Sequence, residues 1–428
     1  MRMNMKSELI RRKFLEFFEK RGHAIVPSSS LVPDDPSVLL TTAGMQQFKK
    51  YFTGELDFAK EYPGKIGAAS IQKSFRTSDI DEVGDESHLT FFEMLGNFSF
   101  GGYFKKEAIE YAHEFITKEM GLKISYVTVF GGSHGVPKDE ESQKIWNSMG
   151  ITDVREEGIK DVFWGPTGSS GPCGPTTEIY CKNGAGQDVE VWNIVFNQYF
   201  YRGSREELLA GASGKQLEPL KTPGVDTGMG LERLAMIVQN KKNIFETDLF
   251  APLVEYVPKE LPERTKRIIA DHSRAIVFLL SDGVRPSNKE AGYVARRLMR
   301  HIFAYMHVHT LRGDMLEELM KMVIEQYGVF YPELATHRNE TLNAMWEEHE
   351  RFRTTMSRGM KELERLDTID AASAFTLYES YGLPYEVMKE FGGERARSLT
   401  REDFDAEFKK HQEVSRAGAE KKFGGENS

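Results

Sequence analysis

The chain has 428 residues, 40% of them hydrophobic and 28% charged, with a formal net charge of -9. That length exceeds one ordinary domain, and the apolar share suffices for two or three cores. No apolar run approaches the roughly 18 residues of a membrane span. Two cysteines without a CxxC, Cys173 and Cys181, leave no disulfide framework or four-cysteine zinc site and point to a reducing compartment.

The start, MRMNMKSELIRRKF, lacks an apolar signal core and passes into a predicted amphipathic helix with Ile10, Phe14, Phe17 and Phe18 on one face. Arg76 to Phe104 then reads RTSDIDEVGDESHLTFFEMLGNFSFGGYF. From His88 its β-branched and aromatic residues predict a strand, with Gly96 permitting a bend. On that strand Thr90, Phe92 and Met94 share one face, and Phe91, Glu93 and Leu95 the other. One face can therefore stack on a base while the other packs a core. Arg76 falls on the partner strand, KSFRT, where a planar guanidinium can pair bidentately with a phosphate or carboxylate. An ordinary hairpin with a solvated arginine fits the same residues.

A further strand, YVTVFG, is predicted at 126–131. The segment DTGMGLER, Asp226 to Arg233, runs from a strand into a helix begun by the spacing of Leu231, Leu234, Ile237 and Val238. Gly228 and Gly230 are expected to adopt backbone angles closed to other residues. Arg233, in the first helical turn, lies beside amides that favour an anion. A GxG before a helix is by itself more often structural.

The alternation of strand-like runs and turns over residues 1–247 predicts an α+β domain built on an antiparallel sheet; residues 248–428 turn helical. The six apolar residues Ala275 to Leu280 suit a buried helix. From Arg264 to Arg312 ten Lys or Arg stand against three acids, a local basic face or a solvated helix surface. Leu334 to Leu366 predicts one long helix with Leu342, Met345, His349, Phe352, Met356, Met360 and Leu363 as its core stripe. Thr400 starts another, running to Lys422.

Three segments together resemble the motifs of class II aminoacyl-tRNA synthetases, within them the alanyl-tRNA synthetase family: SSSLVPDDPSVLLTTAGM (28–45), HLTFFEMLGNFSFGGYF (88–104) and VDTGMGLERL (225–234). GPCGPTTEIY (171–180), WNIVFNQ (192–198) and SDGVRPSN (281–288) match further family segments, and the likeness runs from about Arg11 to about Phe423. The resemblance implies a class II synthetase sheet flanked by helices over residues 1–247, followed by an all-α tRNA-recognition domain over 248–428.

The resemblance also implies a reaction: alanine attacks the α-phosphate of ATP to give alanyl-adenylate, and the terminal ribose of alanine tRNA accepts the alanyl group. Charge builds on the phosphates, so positioning and cations matter more than a general base. Arg76 would hold the α-phosphate and alanine carboxylate, and Arg233 the γ-phosphate, with Mg²⁺ bridging phosphates. Phe92 would stack on adenine, the backbone at Met94 would read its edge, and Asp79 would lie near the nucleotide. Asp226 would pair with the alanine ammonium, with Trp164, Asn193 and Val195 as pocket walls and Gly228 leaving room for the methyl group. Asn288 and Glu379 would recognise an acceptor-stem G·U pair, and Arg296, Arg297 and Arg300 would serve phosphates.

The family's zinc-bearing editing domain and C-terminal region are not matched, and a monomer is the expectation, since family dimerisation is associated with that region. No two of the eleven histidines lie three to five apart, so no HxxxH site arises locally and zinc is not expected. The setting expected is the cytoplasm, without membrane contact. Two other readings stay open: a paralogue passing an activated amino acid to a non-tRNA acceptor, and an inactive tRNA-binding module.

Overall fold

The alternation in the first half of the chain builds one nine-stranded sheet. The computed structural model describes residues 5–35, 38–211 and 214–410. They fall into two compact units divided between Asp271 and His272.

In the first unit the strands are β1 (His23–Ile25), β2 (Gly67–Phe75), β3 (Phe91–Ser99), β4 (Ile124–Phe130), β5 (Val154–Glu157), β6 (Phe163–Trp164), β7 (Gly171–Lys182), β8 (Asp188–Tyr201) and β9 (Glu218–Gly230). Their order is β1-β2-β3-β9-β8-β7-β4-β5, with β6 on β7. The sheet is mixed, where the sequence predicts an antiparallel one. Its interior pairings are antiparallel, but β1 runs parallel to β2 and β4 parallel to β5. Parallel neighbours need a crossover. The chain supplies one in each case, through the turns and short helices of residues 44–61 and through the helix Glu140–Ser148.

The predicted N-terminal helix forms over Ser7–Glu19 and buries Ile10, Phe14, Phe17 and Phe18. Arg11 is buried with them, where its guanidinium forks onto the Glu93 carboxylate through Nε (2.8 Å to Oε1) and Nη2. On β3 the alternation is as expected: Phe91, Glu93 and Leu95 are buried while Phe92 and Met94 are half-buried. The glycines have other reasons than those expected. A Cβ on Gly96 would stand 2.6 Å from the carbonyl oxygen of Thr227, so the close approach of β9, not a bend, demands glycine. Neither Gly228 nor Gly230 lies in the left-handed region. Gly230 is the extended cap of the helix Leu231–Val238.

The second unit is helical: Glu290–Val308, Met315–Tyr327, Arg338–Arg365, Ala371–Tyr381, Tyr385–Gly392 and residues 401–410. The single helix expected from Leu334 breaks at His337, between a short Pro332–Thr336 turn and the Arg338–Arg365 helix. Its ring Nδ1 there meets the Ser281 carbonyl at 3.0 Å. Met345, Phe352, Met356, Met360 and Leu363 are buried as expected, and Glu348 is buried among them. Thr400 caps its helix by accepting from the Asp403 amide at 3.1 Å; the expected continuation beyond residue 410 lies outside the described residues.

The division between units falls inside the helix Glu263–Ser281, later than residue 247. The first part of this helix is tied to the lead-in of β3: Asp271 accepts from the Thr90 amide (3.1 Å) and hydroxyl (2.7 Å), and Arg267 donates to the carbonyls of Gly84 (3.3 Å) and Asp85 (2.9 Å). Among the described residues no helix is long and apolar enough to cross a membrane.

Removing one partner of a buried ion pair strands the other charge. Arg11→Met should therefore destabilise the first unit by about 3–5 kcal/mol, read as a lowered denaturation midpoint. Adding Glu93→Leu should restore much of the loss.

Candidate active site and groove

The site is assembled on the exposed face of β3 and its neighbours. β3 presents Phe92 and Met94; β8 brings Asn193 and Val195; β9 brings Asp226 and Gly228; β6 brings Trp164. Arg76 follows the end of β2, Asp79 stands in the turn after it, and Arg233 occupies the first turn of the helix begun by β9. All ten line one cavity of ≈ 160 Å³. Residues separated by up to 157 positions thus converge because β3, β9 and β8 are adjacent.

Arg76 lays its guanidinium 5.0 Å from the centre of the Phe92 ring, a cation–π arrangement. Burial lowers its pKa, the charge of Arg233 adds to that, and Asp79 and Glu190 oppose it. Two guanidinia that repel one another in one cavity favour an anion between them. Arg233 is anchored through Nη1 to Glu190 Oε2 at 3.2 Å and to the Glu190 carbonyl at 3.4 Å.

Asp226 is 5% exposed, and burial alone pushes its carboxyl up to about 7. Among the described residues no cation offsets that burial, so an arriving ammonium group would. A Cβ on the neighbouring Gly228 would lie 3.0 Å from Met94 Sδ, so glycine there keeps space beside Met94. On β7, Glu178 is likewise pushed up to about 7, by burial first and by Glu190 second.

The sequence reading missed several cavity residues. Glu190 and Glu232 line it, the second accepting from the Glu93 amide at 3.2 Å. His88 also lines it, its Nδ1 2.5 Å from the Asp85 carboxylate, which accepts in addition from the amides of Ser87 and His88. The signal for His88 and Asp85 was their place in the acidic loop after Arg76; Glu190 carries none in one sequence. Cys173 and Cys181 are buried thiols outside any disulfide, and burial pushes the Cys173 thiol up to about 12. Among the described residues no three His, Cys, Asp or Glu are grouped to hold a metal.

A model of the family tRNA synthetases class II (A) matches residues 9–427. The chain belongs to the class II (A) tRNA synthetases. The alanine–tRNA ligase of Rubrobacter xylanophilus is 41% identical over 97% of this chain and 50% of its own length. That of Borrelia hermsii is 38% identical over 98% of this chain and 75% of its own length. The synthetase chain thus spans half to three quarters of the curated relatives it matches. Among solved structures, an apo histidyl-tRNA synthetase of S. aureus is similar at 11% identity and a TM-score of 0.36, over 56% of this chain and 68% of that one.

In the second unit of this synthetase, Asn288, Arg296, Arg297, Arg300 and Glu379 line a groove of ≈ 930 Å³. The three arginines do not stand open to it. Arg296 and Arg300 both engage Glu348, at 3.2 and 2.7 Å, and Arg297 engages Glu386; their side chains are 16%, 13% and 12% exposed. Arg296 also donates to Asn288 Oδ1, and Arg300 to the Gly382 carbonyl at 2.9 Å. Other basic residues between Arg264 and Arg312 are engaged too: Arg285 and Arg312 pair with Glu340 and Asp314, and Arg274 is fully buried with Nη1 on the Tyr327 hydroxyl at 2.9 Å. Glu340, Glu348 and Glu386 lie 48 to 89 positions from their arginines, and Asp314 falls just past the end of the stretch, so a count of charges within it cannot see the pairing.

Asp226→Asn should separate stability from binding. A carboxyl raised on folding favours the fold below its unfolded pKa, and that contribution is lost as pH rises from about 4 towards 7. The variant should therefore be more stable than the native chain at pH 8, by up to about 4 kcal/mol, and the gain should shrink towards pH 4 in denaturation measurements. Removal of this buried carboxylate should weaken the binding of any ammonium group placed against it by about 2–5 kcal/mol.

Proposed function

We propose that this synthetase activates L-alanine with ATP and transfers the alanyl group to the 3′ end of alanine tRNA, selecting the acceptor-stem G·U pair. The convergence of Arg76, Arg233 and Asp226 around the Phe92 face of one cavity carries this reading. Phe92 stacks on adenine, and the backbone at Met94 reads its edge. Arg76 takes the α-phosphate and the alanine carboxylate, and Arg233 the γ-phosphate. Both guanidinia stay charged throughout, so each stabilises the charge that develops on the phosphates without proton transfer. Asp226, ionised once the substrate arrives, pairs with the alanine ammonium group. Trp164, Asn193 and Val195 bound the side-chain space beside Gly228.

Mg²⁺ needs one or two carboxylates when phosphates supply the remaining oxygens. Glu190 and Glu232, both lining the cavity, fit that demand and would hold it. Once bound, the ion supplies charge neutralisation and orientation of the phosphates. In the groove of the second unit, Asn288 and Glu379 offer an amide and a carboxylate to base edges, and Arg296, Arg297 and Arg300 give the wall its positive side. Two buried thiols outside any disulfide suit a reducing cytoplasm.

The decisive measurement is pyrophosphate exchange with each of the twenty amino acids, followed by charging of alanine tRNA with and without its G·U pair. Alanine-dependent exchange and loss of charging without the pair are expected; exchange with an unrelated amino acid and none with alanine overturns the reading. A pocket of this kind discriminates one methylene by only about 1–3 kcal/mol and excludes an added hydroxyl poorly, so glycine and serine should also be activated. Rejection of serine by more than about 10⁴-fold would contradict that prediction. Asn288→Ala should lower discrimination for the G·U pair by about 1–3 kcal/mol in charging assays while alanine-dependent exchange stays at the native rate.

A further inference from the structure

Glu178 stands in GPCGPTTEIY, a segment to which no chemistry has been attached. The sheet register places it in a row of cross-strand neighbours: Thr128 on β4 opposite Glu178 on β7, Glu178 opposite Asn193 on β8, and Asn193 opposite Gly228 on β9. Two positions away on β8, Val195 stands opposite Asp226, so the row runs to the edge of the amino-acid end of the cavity. Side chains of directly opposed residues share one face and touch.

The hydrogen bonds in this row are directional. The Tyr180 hydroxyl (2.9 Å) and the Thr128 hydroxyl (3.2 Å) both meet Glu178 at Oε2, which leaves Oε1 to accept from Asn193 Nδ2 at 3.4 Å. Glu178 is 6% exposed, so these partners stand in for water. The other corner of the amide, Asn193 Oδ1, is buried and has no hydrogen-bond partner among the described residues. A buried acceptor left unpaired is costly and calls for a donor. With the carboxylate ionised, an amide flip would bring Oδ1 against an acceptor oxygen, so ionised Glu178 disfavours that orientation.

We propose that Glu178 is a positioning residue: by accepting from Asn193 Nδ2 it holds the amide with Oδ1 turned to the cavity, where Oδ1 and the Asp226 carboxylate together seat the ammonium group of the amino-acid substrate. An ammonium group carries three donors, and a carboxylate with one amide oxygen takes two of them in separate directions. This seat orients the amino acid where Asp226 alone would hold it through charge. The inference deepens the amino-acid-binding role proposed above and rests on it.

The test is a mutant cycle read by calorimetric titration of the full chain with L-alanine and, separately, with ATP. Glu178→Leu should weaken L-alanine by about 10- to 100-fold, the loss of one hydrogen bond to a charged group, with ATP affinity unchanged. Glu178→Gln should retain native alanine affinity, because its carbonyl still accepts from Asn193 Nδ2 while its amide donates to the two hydroxyls. Asn193→Ala leaves Glu178 and its hydroxyl partners in place, and should weaken alanine as much. The double variant should be no weaker than Asn193→Ala alone. Unchanged alanine affinity in Glu178→Leu, losses that multiply in the double variant, or an equal loss of ATP affinity overturns the positioning role. Should the native chain bind a different amino acid in place of alanine, the alanine reading fails while the same cycle, run with that amino acid, still decides the role of Glu178.

Discussion

The cavity depends on a charge pair that lies behind it. Glu93 is on the buried face of the same strand that presents Phe92 and Met94 to the cavity, and Arg11 forks onto its carboxylate from the N-terminal helix. The amide of Glu93 is in turn held by Glu232, the residue before Arg233. One buried cluster therefore fixes the tilt of the aromatic strand and the start of the helix that carries the second cavity arginine. A buried pair of this kind adds little net stability, but it penalises any arrangement in which the strand slips, because a register change would strand a charge in the core.

Electrostatics are distributed differently in the two units. In the first, charges in the cavity are left partly uncompensated: Asp226 is held up to about 7 by burial, and Arg76 feels Arg233 as well as its acidic neighbours. Such groups are primed for a ligand that brings the opposite charge. In the second, the arginines of the groove are held by Glu348 and Glu386, buried carboxylates that fix the orientation of each guanidinium while leaving an excess of positive charge. The first arrangement suits differential binding of a small, charged substrate. The second suits a preformed surface whose shape, with Asn288 at its edge, does more than its net charge.

Much of the first unit was legible in the residues. The period-two pattern of β3 sorted Phe92 and Met94 from Phe91, Glu93 and Leu95, because one face of a strand must be apolar when it covers a core. The ten cavity residues were implied by the resemblance to the synthetase family, which the segments around β3 and β9 carry. What failed were local explanations of glycine: Gly96 is required by the close approach of the Thr227 carbonyl on β9, and Gly228 lies against the Met94 side chain on β3, neither having a left-handed backbone. The long helix expected from Leu334 broke at His337, where a carbonyl distant in sequence competes for the ring, and no periodicity records that.

By itself, the order of residues determined that the first part of the chain is strand-rich and the last part helical, which side of β3 and of the N-terminal helix is apolar, and which types of side chain stand at the ends of β2 and β9. Those are local matters, set by propensity, spacing and charge type. Only the tertiary structure decided that the outer strands pair parallel, that arginines of the basic stretch after Arg264 pair with carboxylates outside it, and that Glu178 meets Asn193 two positions from the Val195–Asp226 pair. Strand order and side-chain pairing join residues tens to hundreds of positions apart, and their energies depend on burial and on partners that no short window of sequence contains.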